Sequence, residues 1–294
     1  MKKVLVIGSG GQVSTELSAS KPGWCVLDVA GHATLDLAKT HEIRPFIAAS
    51  KAELVINAAA YTAVDKAEGE EELANLINAV APGELALGTA DLGIPLIHIS
   101  TDYVFNGESR RPYNEYDTTA PLGVYGTTKR AGEQAVAANN PRHVIARTAW
   151  VYSAHGHNFV KSMLRLGAKH ERLAIVSDQL GSPTSAGDLA HAIWQIAERL
   201  LANDARDDFG IVNIAGTDIA SWYDFARAIF AISKAHGGPD PEITPILTED
   251  YPTPARRPAN SRLDTKRLER HFGITMPPWR NSLEDVLHEL RGLD

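Results

Sequence analysis

The sequence has little that would stabilise it outside the cell or attract it to a polyanion. Cys25 is the only cysteine among 294 residues, so an intrachain disulfide is impossible. Acidic residues outnumber basic ones by 36 to 29, and the resulting net charge of −7 disfavours nucleic acid as a partner. We therefore expect no disulfide framework and no nucleic-acid binding, and we predict a reducing location, the cytoplasm.

Long hydrophobic runs are also absent. The first apolar run, residues 4–7, stops at the glycine-rich residues 8–11, which is too early for the core of a signal peptide or for a membrane span. No tract rich in Gly, Ser, Pro or Gln indicates disorder. With 44% hydrophobic and 22% charged residues, the composition is typical of a folded globular protein, and we expect no membrane partner.

Short apolar runs alternate with helical patterns through the first half of the chain. The runs cover 3–8, 24–29, 54–57, 96–100 and 144–148, and the helical patterns include 70–92 and 125–139. This alternation predicts an α/β fold with a doubly wound parallel sheet covered on both faces. We expect a Rossmann-like domain over 1–150, with a later return near 185–215, and a smaller domain over 151–294. In this smaller part we predict a strand at 210–214 and helices at 221–232 and 282–290.

The first apolar run passes through glycines directly into a helical segment. Gly8 and Gly11 stand where small residues allow backbone N–H groups and a helix N-terminus to approach a pyrophosphate. The spacing is Gly-x-x-Gly-x-x-Ser, with Ser14 where a third glycine is usual. A glycine-rich turn can also be only a turn, so the motif alone leaves both interpretations open.

Two acidic positions are candidates for the adenosine half of a dinucleotide. Asp28 stands at the predicted end of the second strand, where a carboxylate can accept hydrogen bonds from ribose hydroxyls and favour NADH. The alternative is an exposed aspartate at a strand end. Asp36 with Leu37 could contact the adenine, whereas Asp36 could instead cap the helix expected to begin near Lys39.

Small residues follow the apolar run at 54–57. The sequence Asn-Ala-Ala-Ala-Tyr-Thr over 57–62 would let the backbone lie against a flat cofactor. Alanines also serve core packing, so this pattern has two interpretations.

Tyr125 and Lys129 are four residues apart within a predicted helix, which places both on one face. A lysine beside a tyrosine stabilises the phenolate, lowers the tyrosine pKa from about 10, and makes the phenol a usable proton donor near neutral pH. The same lysine can hold the ribose of a nicotinamide. The spacing also arises by chance on helix surfaces, so its position relative to other motifs decides its meaning.

A polar segment, residues 100–105, follows the strand predicted at 96–100. Ligands bind outside the carboxyl ends of parallel strands, so a hydroxyl of Ser100 or Thr101 would face the same crevice as the cofactor and bind a substrate carbonyl. The alternative is that Thr101 and Asp102 cap the next turn. The order of glycine turn, Asp28, alanine run, Thr101, Tyr125 and Lys129 favours a redox site.

Several longer motifs make the chain similar to a known family. These are residues 11–13, 57–68, 100–105, 121–129, 147–152, 178–184 and 257–263. Together they resemble the dTDP-4-dehydrorhamnose reductases, a family of extended short-chain dehydrogenases, nearly from end to end. The resemblance implies that NADH or NADPH delivers a hydride to C4 of a 4-keto-6-deoxy sugar nucleotide, while Tyr125 donates the proton and Thr101 and Lys129 complete a catalytic triad.

The resemblance also implies binding residues. Substrate contacts would come from Thr101, Asp102 and Trp150, although a tryptophan is also common in a core. Further nucleotide contacts are possible at Asn158, Phe159 and Arg262. Cofactor contacts would come from Gly8, Gly11, Gln12, Val13, Asp28, Asp36, Leu37, Ala60, Tyr61, Thr62, Tyr125 and Lys129.

Some members of that family are homodimers bridged by Mg²⁺ through acidic side chains, and Glu16 falls on one such position. Asp188 and its neighbours do not reproduce the expected second ligand. The pair His155 and His157 lacks a third ligand at suitable spacing. We therefore expect no complete metal site, with Glu16 as the one candidate ligand, and either a monomer or a homodimer.

Two alternative functions remain open on the same fold. A sugar-nucleotide epimerase or dehydratase would retain and recycle its cofactor. A non-catalytic regulatory subunit similar to the beta subunit of methionine adenosyltransferase would need no reactive groups. The presence of Thr101, Tyr125 and Lys129 argues against lost catalysis.

Overall fold

The structure is a computed structural model that describes residues 1–202 and 208–292. Residues 203–207, part of the predicted return near 185–215, lie outside the described residues, as do the last two residues of the predicted second domain. The strands, in chain order, are β1 (Lys2–Ile7), β2 (Cys25–Ala30), β3 (Leu54–Asn57), β4 (Leu96–Thr101), β5 (His143–Thr148), β6 (Val151–Tyr152), β7 (Arg172–Val176), β8 (Leu180–Gly181), β9 (Thr184–Ser185), β10 (Gly210–Asn213), β11 (Ala220–Ser221) and β12 (Glu242–Ile246).

The helices lie between these strands and after them. They are α1 (Gln12–Ala19), α2 (Thr40–Ser50), α3 (Val64–Ala67), α4 (Glu71–Asn75), α5 (Ala81–Asp91), α6 (Val124–Asn139), α7 (Phe159–Gly167), α8 (Ala186–Leu201), α9 (Trp222–Ala235), α10 (Lys266–Phe272) and α11 (Trp279–Gly292). A π-helical turn, Leu76–Val80, joins α4 to α5. Pro82 has no N–H for the helical ladder, and the turn before it is the one that widens.

The central sheet has six strands in the order β10-β5-β4-β3-β1-β2, all of them parallel. β3 is buried along its whole length, as expected for a strand covered on both faces. One core cluster joins the sheet to α1 and α8, and a second joins it to α2, α5 and α6. The predicted doubly wound parallel sheet is confirmed.

A third core cluster holds the smaller part together. Tyr152, Phe225 and Trp279 meet in it, and the rings of Phe225 and Trp279 are 5.2 Å apart. Trp279 begins α11, so the helix predicted at 282–290 starts earlier, because this buried tryptophan anchors its first turn. α9 begins with a capping box in which Ser221 and Asp224 satisfy each other's backbone N–H groups.

The boundary between the two predicted domains is crossed by the chain more than once. β10 pairs with β5 in the central sheet, and α8 packs against α1. The division at residue 150 stays a prediction. In residues 1–202 and 208–292, no helix is long and apolar enough to cross a membrane.

Candidate active site

A groove of about 1310 Å³ lies outside the carboxyl ends of the central strands. Segments that follow β1 to β5 line one side, and residues of the smaller part line the other. Typical small-molecule sites measure about 300 to 1,000 Å³. The groove therefore has room for a dinucleotide together with a second ligand.

The turn between β1 and α1 forms one end of the groove. Gly8 has φ +109°, and a Cβ there would lie 3.1 Å from the backbone N of Ala59, so only glycine fits without strain. Gln12 and Val13 open α1, and N–H groups in a first helical turn lack partners within the helix. Such groups can bind a pyrophosphate, and that contact stays a prediction.

Ser14 replaces the third glycine with a structural hydroxyl. This hydroxyl accepts a hydrogen bond from Gly11 N at 3.2 Å and donates one to Gly11 O at 3.1 Å. The serine is buried. Although it differs from the glycine that is usual at this position, it stabilises the turn. The turn between β1 and α1 is therefore well formed in spite of the unusual spacing of the motif.

The side chain of Gln12 ties the glycine turn to the segment after β6. Its Oε1 accepts hydrogen bonds from Asn158 at 3.0 Å and Ser153 at 3.1 Å, and its Nε2 donates to Val151 O at 3.2 Å. Asn158 also caps α7 by accepting from Lys161 N. A contact from Gln12 to a cofactor would therefore use its backbone, which lines the groove.

The prediction that Asp28 ends the second strand is wrong. β2 continues to Ala30, and the Asp28 carboxylate lies 2.8 Å from Nζ of Lys3 on the neighbouring strand. The groove is lined instead by the residues at the true end of β2, Ala30, Gly31 and His32. Ribose binding by Asp28 stays a prediction, without support from this arrangement.

Asp36 and Leu37 do line the groove. The Asp36 carboxylate accepts a hydrogen bond from Ala38 N at 3.0 Å, within a local turn. The residue before α2 is Lys39, and no side chain caps that helix. The capping alternative for Asp36 is wrong, and its contact with an adenine stays a prediction.

The alanine run places its backbone against the groove. Ala60 and Thr62 line it, but the Tyr61 hydroxyl turns outward and donates to Glu70 at 2.8 Å. The backbone of Tyr61 is held by Asn78, whose amide bonds both its N–H and its carbonyl. Tyr61 could therefore reach a cofactor only through its main chain.

Tyr125 and Lys129 lie on α6 and line the groove together with Thr101. The helix comes close to the segment after β4 because Gly126 has no side chain, and a Cβ there would collide with the carbonyl of Tyr103. The Tyr103 and Tyr125 rings meet edge to face at 5.6 Å. The structure therefore brings the three predicted catalytic residues to one wall.

Burial raises the pKa of Tyr125 to about 12, while hydrogen bonding to Thr101 lowers it and the charge of Asp102 raises it. The expected lowering by Lys129 is not seen, because its Nζ instead donates to Ile99 O at 2.7 Å. At neutral pH Tyr125 is protonated, which is the form needed to donate a proton.

Lys129 is buried with only 1% of its surface exposed. Burial lowers the pKa of its ammonium to about 8, against the raising effect of Glu133 one turn further along α6. The side chain is therefore charged at neutral pH and loses its charge in mildly basic solution.

Thr101 caps the next turn, as the structural alternative predicted, and the substrate contacts of Thr101 and Asp102 stay predictions. The Thr101 hydroxyl accepts from Tyr103 N at 3.2 Å, which caps the short turn Asp102–Val104, and donates to Asp102 Oδ1 at 3.0 Å. Asp102 Oδ2 is buried and has no hydrogen-bond partner among residues 1–202 and 208–292. Burial raises the pKa of Asp102 to about 6, while the hydroxyls of Ser261 and Thr101 lower it. Oδ2 is thus a buried acceptor that a ligand hydroxyl could reach only after the side chain moves toward the groove.

The Ser100 hydroxyl does not share this role. It donates to Glu133 Oε1 at 2.6 Å, and Glu133 pairs with Arg147 through two bonds of 2.8 and 2.7 Å. This buried network fastens α6 to β4 and β5. Both hydroxyls proposed for the substrate therefore donate to a carboxylate, Ser100 to Glu133 and Thr101 to Asp102.

Trp150 forms part of the facing wall. Its backbone is left-handed with φ +47°, and its indole stacks on Trp222 with centroids 3.4 Å apart and planes 3° from parallel. Gly181 makes room for the ring, since a Cβ there would collide with it. Trp222 Nε1 donates to Gln179 Oε1 at 3.1 Å. Trp222 was not predicted, because its position at the start of an amphipathic helix looks like ordinary core.

Other predicted contacts divide between the groove and the surface. Phe159 lines the groove and packs against Trp222 at 4.6 Å. Arg262 is not part of the groove lining, and its Nε donates to Asn260 at 2.6 Å. Arg257, the first residue of the 257–263 motif, also lines the groove, and its guanidinium pairs with Asp65 at 2.8 Å.

The surroundings of Glu16 do not fit Mg²⁺ within one chain. Its carboxylate lies 3.7 Å from Nε2 of His155, and Glu289 lies 3.6 Å from the same nitrogen. Burial raises the pKa of Glu16 and His155 lowers it. Asp188 accepts a hydrogen bond from Ser282. Within residues 1–202 and 208–292, no group of three or more His, Cys, Asp or Glu side chains could hold a metal ion.

The fold and the site together define a reductase of the extended short-chain dehydrogenase class, with a dinucleotide-binding sheet and a tyrosine and lysine at its carboxyl edge. The family described as RmlD substrate binding domain matches residues 1–291. The chain belongs to this family.

Named relatives agree with that assignment. A dTDP-4-dehydrorhamnose reductase of Sinorhizobium fredii is 44% identical over 289 residues, which cover 98% of this chain and 97% of the relative. The crystal structure of a dTDP-4-dehydrorhamnose reductase from Clostridium acetobutylicum has a TM-score of 0.92 and 38% identity, over 98% of this chain and 99% of that one. A Bacillus anthracis dTDP-4-dehydrorhamnose reductase in complex with NADP has a TM-score of 0.91 and 33% identity, over 98% and 100%.

Proposed function

We propose that this protein reduces the C4 keto group of dTDP-4-dehydro-L-rhamnose to give dTDP-L-rhamnose, with NADH or NADPH as the reductant. The observation that carries the proposal is the convergence of Thr101, Tyr125 and Lys129 on one wall of the groove. The chain also covers named reductases almost completely.

Reduced nicotinamide supplies the hydride that C4 of the sugar receives. Tyr125 is protonated at neutral pH and gives its proton to the carbonyl oxygen, so that one hydride and one proton together make the alcohol. To stabilise the phenolate that remains on Tyr125, the Lys129 ammonium would have to move from Ile99 O toward the phenol oxygen. To hydrogen-bond the carbonyl oxygen as its charge develops, the Thr101 hydroxyl would have to turn its one hydrogen from Asp102 Oδ1 toward that oxygen.

The remaining groove residues would orient the two ligands. The N-terminus of α1 and the Gly8 turn would hold the cofactor pyrophosphate. Asp102 Oδ2, once its side chain moves toward the groove, would accept a hydrogen bond from a sugar hydroxyl. The indole of Trp150 offers an apolar face to the deoxysugar. These contacts fix which face of the carbonyl is exposed to the hydride.

The direct test is cofactor oxidation by purified protein with a panel of 4-keto sugar nucleotides. We expect loss of NADH or NADPH absorbance only when such a sugar is present, and the fastest loss with the dTDP-linked 4-keto rhamnose. The absence of oxidation with both cofactors across the neutral pH range would contradict the proposal. Protein that retains NAD⁺ through purification and interconverts sugars without net oxidation would instead be an epimerase.

The same proposal covers location and assembly. We propose that the protein acts in the cytoplasm, as a monomer or homodimer, on a sugar nucleotide and with no nucleic-acid or membrane partner. A buried free thiol at Cys25 and a net charge of −7 support this. Light scattering after size-exclusion chromatography would decide between one and two chains.

A further inference from the structure

One fully buried titratable side chain has no role in the chemistry described above. His98 lies in the middle of β4, beside Asn57 of β3 in the sheet register, and no part of it is exposed. Its ring nitrogens contact two different side chains. Asn57 Nδ2 lies 3.0 Å from Nδ1, and Lys129 Nζ lies 3.4 Å from Nε2.

The hydrogen-bond network determines which ring nitrogen carries the hydrogen. Asn57 Oδ1 already accepts from Ala59 N at 3.1 Å, so the asparagine must turn its Nδ2 donor toward His98. Nδ1 of His98 is then an acceptor without a hydrogen. Burial and the neighbouring charge of Lys129 lower the pKa of His98 well below its ordinary value, so the ring is neutral. Its single N–H is therefore assigned to Nε2, which faces Lys129.

An N–H that faces an ammonium group cannot form a hydrogen bond with it, because both groups are donors. The contact becomes favourable only when Nζ offers a lone pair, as a neutral amine does. While Lys129 is charged, its hydrogens are directed away from His98, and one of them is donated to Ile99 O at 2.7 Å. Both effects act on the lysine that stabilises the Tyr125 phenolate.

We propose that Asn57 and His98 are positioning residues, which aim the Lys129 ammonium at the groove and set the upper pH limit of the reduction. This inference rests on the proposed function, because the reduction is the process whose pH limit is set. The Ala59 N–H fixes the orientation of the Asn57 amide. The amide fixes which nitrogen of His98 carries the hydrogen, and that hydrogen acts on Lys129. None of the first three groups touches substrate in this account.

Other titratable groups near this chain do not reproduce its effect. Glu133 faces Lys129 from the next turn of α6 and favours the charged form. Tyr125 lies one turn before Lys129 and is neutral at neutral pH. His143 of β5 faces His98, and burial lowers its pKa as well. Among these groups, the His98 ring is the one that points an N–H at Lys129 Nζ and so disfavours the charged form of the lysine.

The decisive variant is Asn57→Asp, which changes the amide donor to an acceptor of nearly the same shape. One carboxylate oxygen can still accept from Ala59 N, while the other would take a hydrogen from Nδ1 of His98. The ring would then offer Nε2 as an acceptor to the Lys129 ammonium, which would stay charged to higher pH. We expect the basic limb of the kcat/KM profile to move up by about one pH unit.

The matched control is the same substitution in a His98→Phe background. A carboxylate at position 57 also attracts Lys129 directly, and this effect survives when the ring is gone. If His98 transmits the change, the upward shift should fall to less than half in the His98→Phe background. An unmoved limb in Asn57→Asp, or an equal shift in both backgrounds, would overturn the inference.

A spectroscopic measurement on unmodified protein does not depend on activity, and it needs a folded variant only to assign the His98 signal. Long-range ¹H–¹⁵N spectra of ¹⁵N-histidine protein report the tautomer of each of the 11 histidines, and loss of one signal in His98→Phe identifies His98. We expect a neutral ring with its hydrogen on Nε2. A hydrogen on Nδ1 would overturn the inference while leaving an active reductase intact, whereas inactive wild-type protein would overturn the proposed function itself.

Discussion

The two walls of the groove are built in different ways. The sheet wall consists of short segments that follow strands, and it carries Thr101, Tyr125 and Lys129. The aromatic wall, defined by Trp150, Trp222 and Phe159, forms where α7 and α9 pack against the segment after β5. The first wall has the groups that move a proton, and the second has flat apolar surface. We therefore assign the chemical step to the sheet wall and the binding of the substrate to the aromatic wall.

The walls also differ in how firmly they are held. Behind the sheet wall, Glu133 pairs with Arg147 and accepts from Ser100, and all three are buried. Removing one partner of such a pair typically costs about 3 to 5 kcal/mol. The aromatic wall depends on ring stacking and on the hydrogen bond from Trp222 to Gln179. Changes in the sheet wall should alter kcat, and changes in the aromatic wall should alter KM.

The largest effect is expected from Tyr125→Phe, which removes the proton donor and keeps the ring. We expect kcat to fall by a factor of about 100 to 10,000, with cofactor affinity unchanged. Steady-state kinetics and fluorescence titration with NADPH measure the two quantities. A variant with normal kcat would show that the proton comes from elsewhere.

The next effect concerns pH. Because burial lowers the pKa of Lys129 to about 8, the ammonium is present below that pH and is lost as the pH rises through it. We expect kcat/KM to fall by about tenfold per pH unit in the basic range. Rates measured in buffers of constant ionic strength check this. A flat profile well above the pKa of Lys129 would separate its charge from catalysis.

A smaller effect is expected from Trp222→Ala, which removes the support of Trp150. Aromatic pairs contribute about 0.5 to 1.5 kcal/mol beyond their buried area, so KM for the sugar nucleotide should rise by roughly 2- to 10-fold, with NADPH affinity unchanged. Trp222→Phe keeps a stacking ring and serves as the matched control. If Trp222→Ala lowered kcat as strongly as Tyr125→Phe does, the two walls would not be functionally distinct.

The smallest effect is expected from Asp28→Asn. Because Asp28 pairs with Lys3 away from the groove, we expect the ratio of NADH to NADPH affinities to change by less than about twofold, as for an exposed ion pair. Titrations with both cofactors measure the ratio. A large shift toward NADPH would mean that Asp28 turns to the ribose when cofactor binds.

Much of the sheet wall could be predicted from the sequence, because its parts follow strands in a fixed order. Tyr125 and Lys129 share a helix face by spacing alone, and the glycine turn follows a recognisable apolar run. Asp28 was misplaced because β2 continues two residues beyond it, to Ala30, so that Asp28 lies within the strand beside Lys3 and not at the carboxyl end that borders the groove.

The aromatic wall and the buried chain behind Lys129 could not be predicted in the same way. Trp150 and Trp222 meet only after separate parts of the chain have packed, and no local pattern marks their contact. His98 lies within an apolar strand, and only its register beside Asn57 shows that its ring is oriented. Side chains whose partners are distant in sequence leave no periodic signal.

The most direct test of the central claim follows the hydride itself. The protein would be supplied with dTDP-4-dehydro-L-rhamnose and NADPH that carries deuterium at the transferable position of the nicotinamide. We predict one deuterium at C4 of dTDP-L-rhamnose for each NADPH consumed. A product without deuterium at C4, or no rhamnose product at all, would contradict the account.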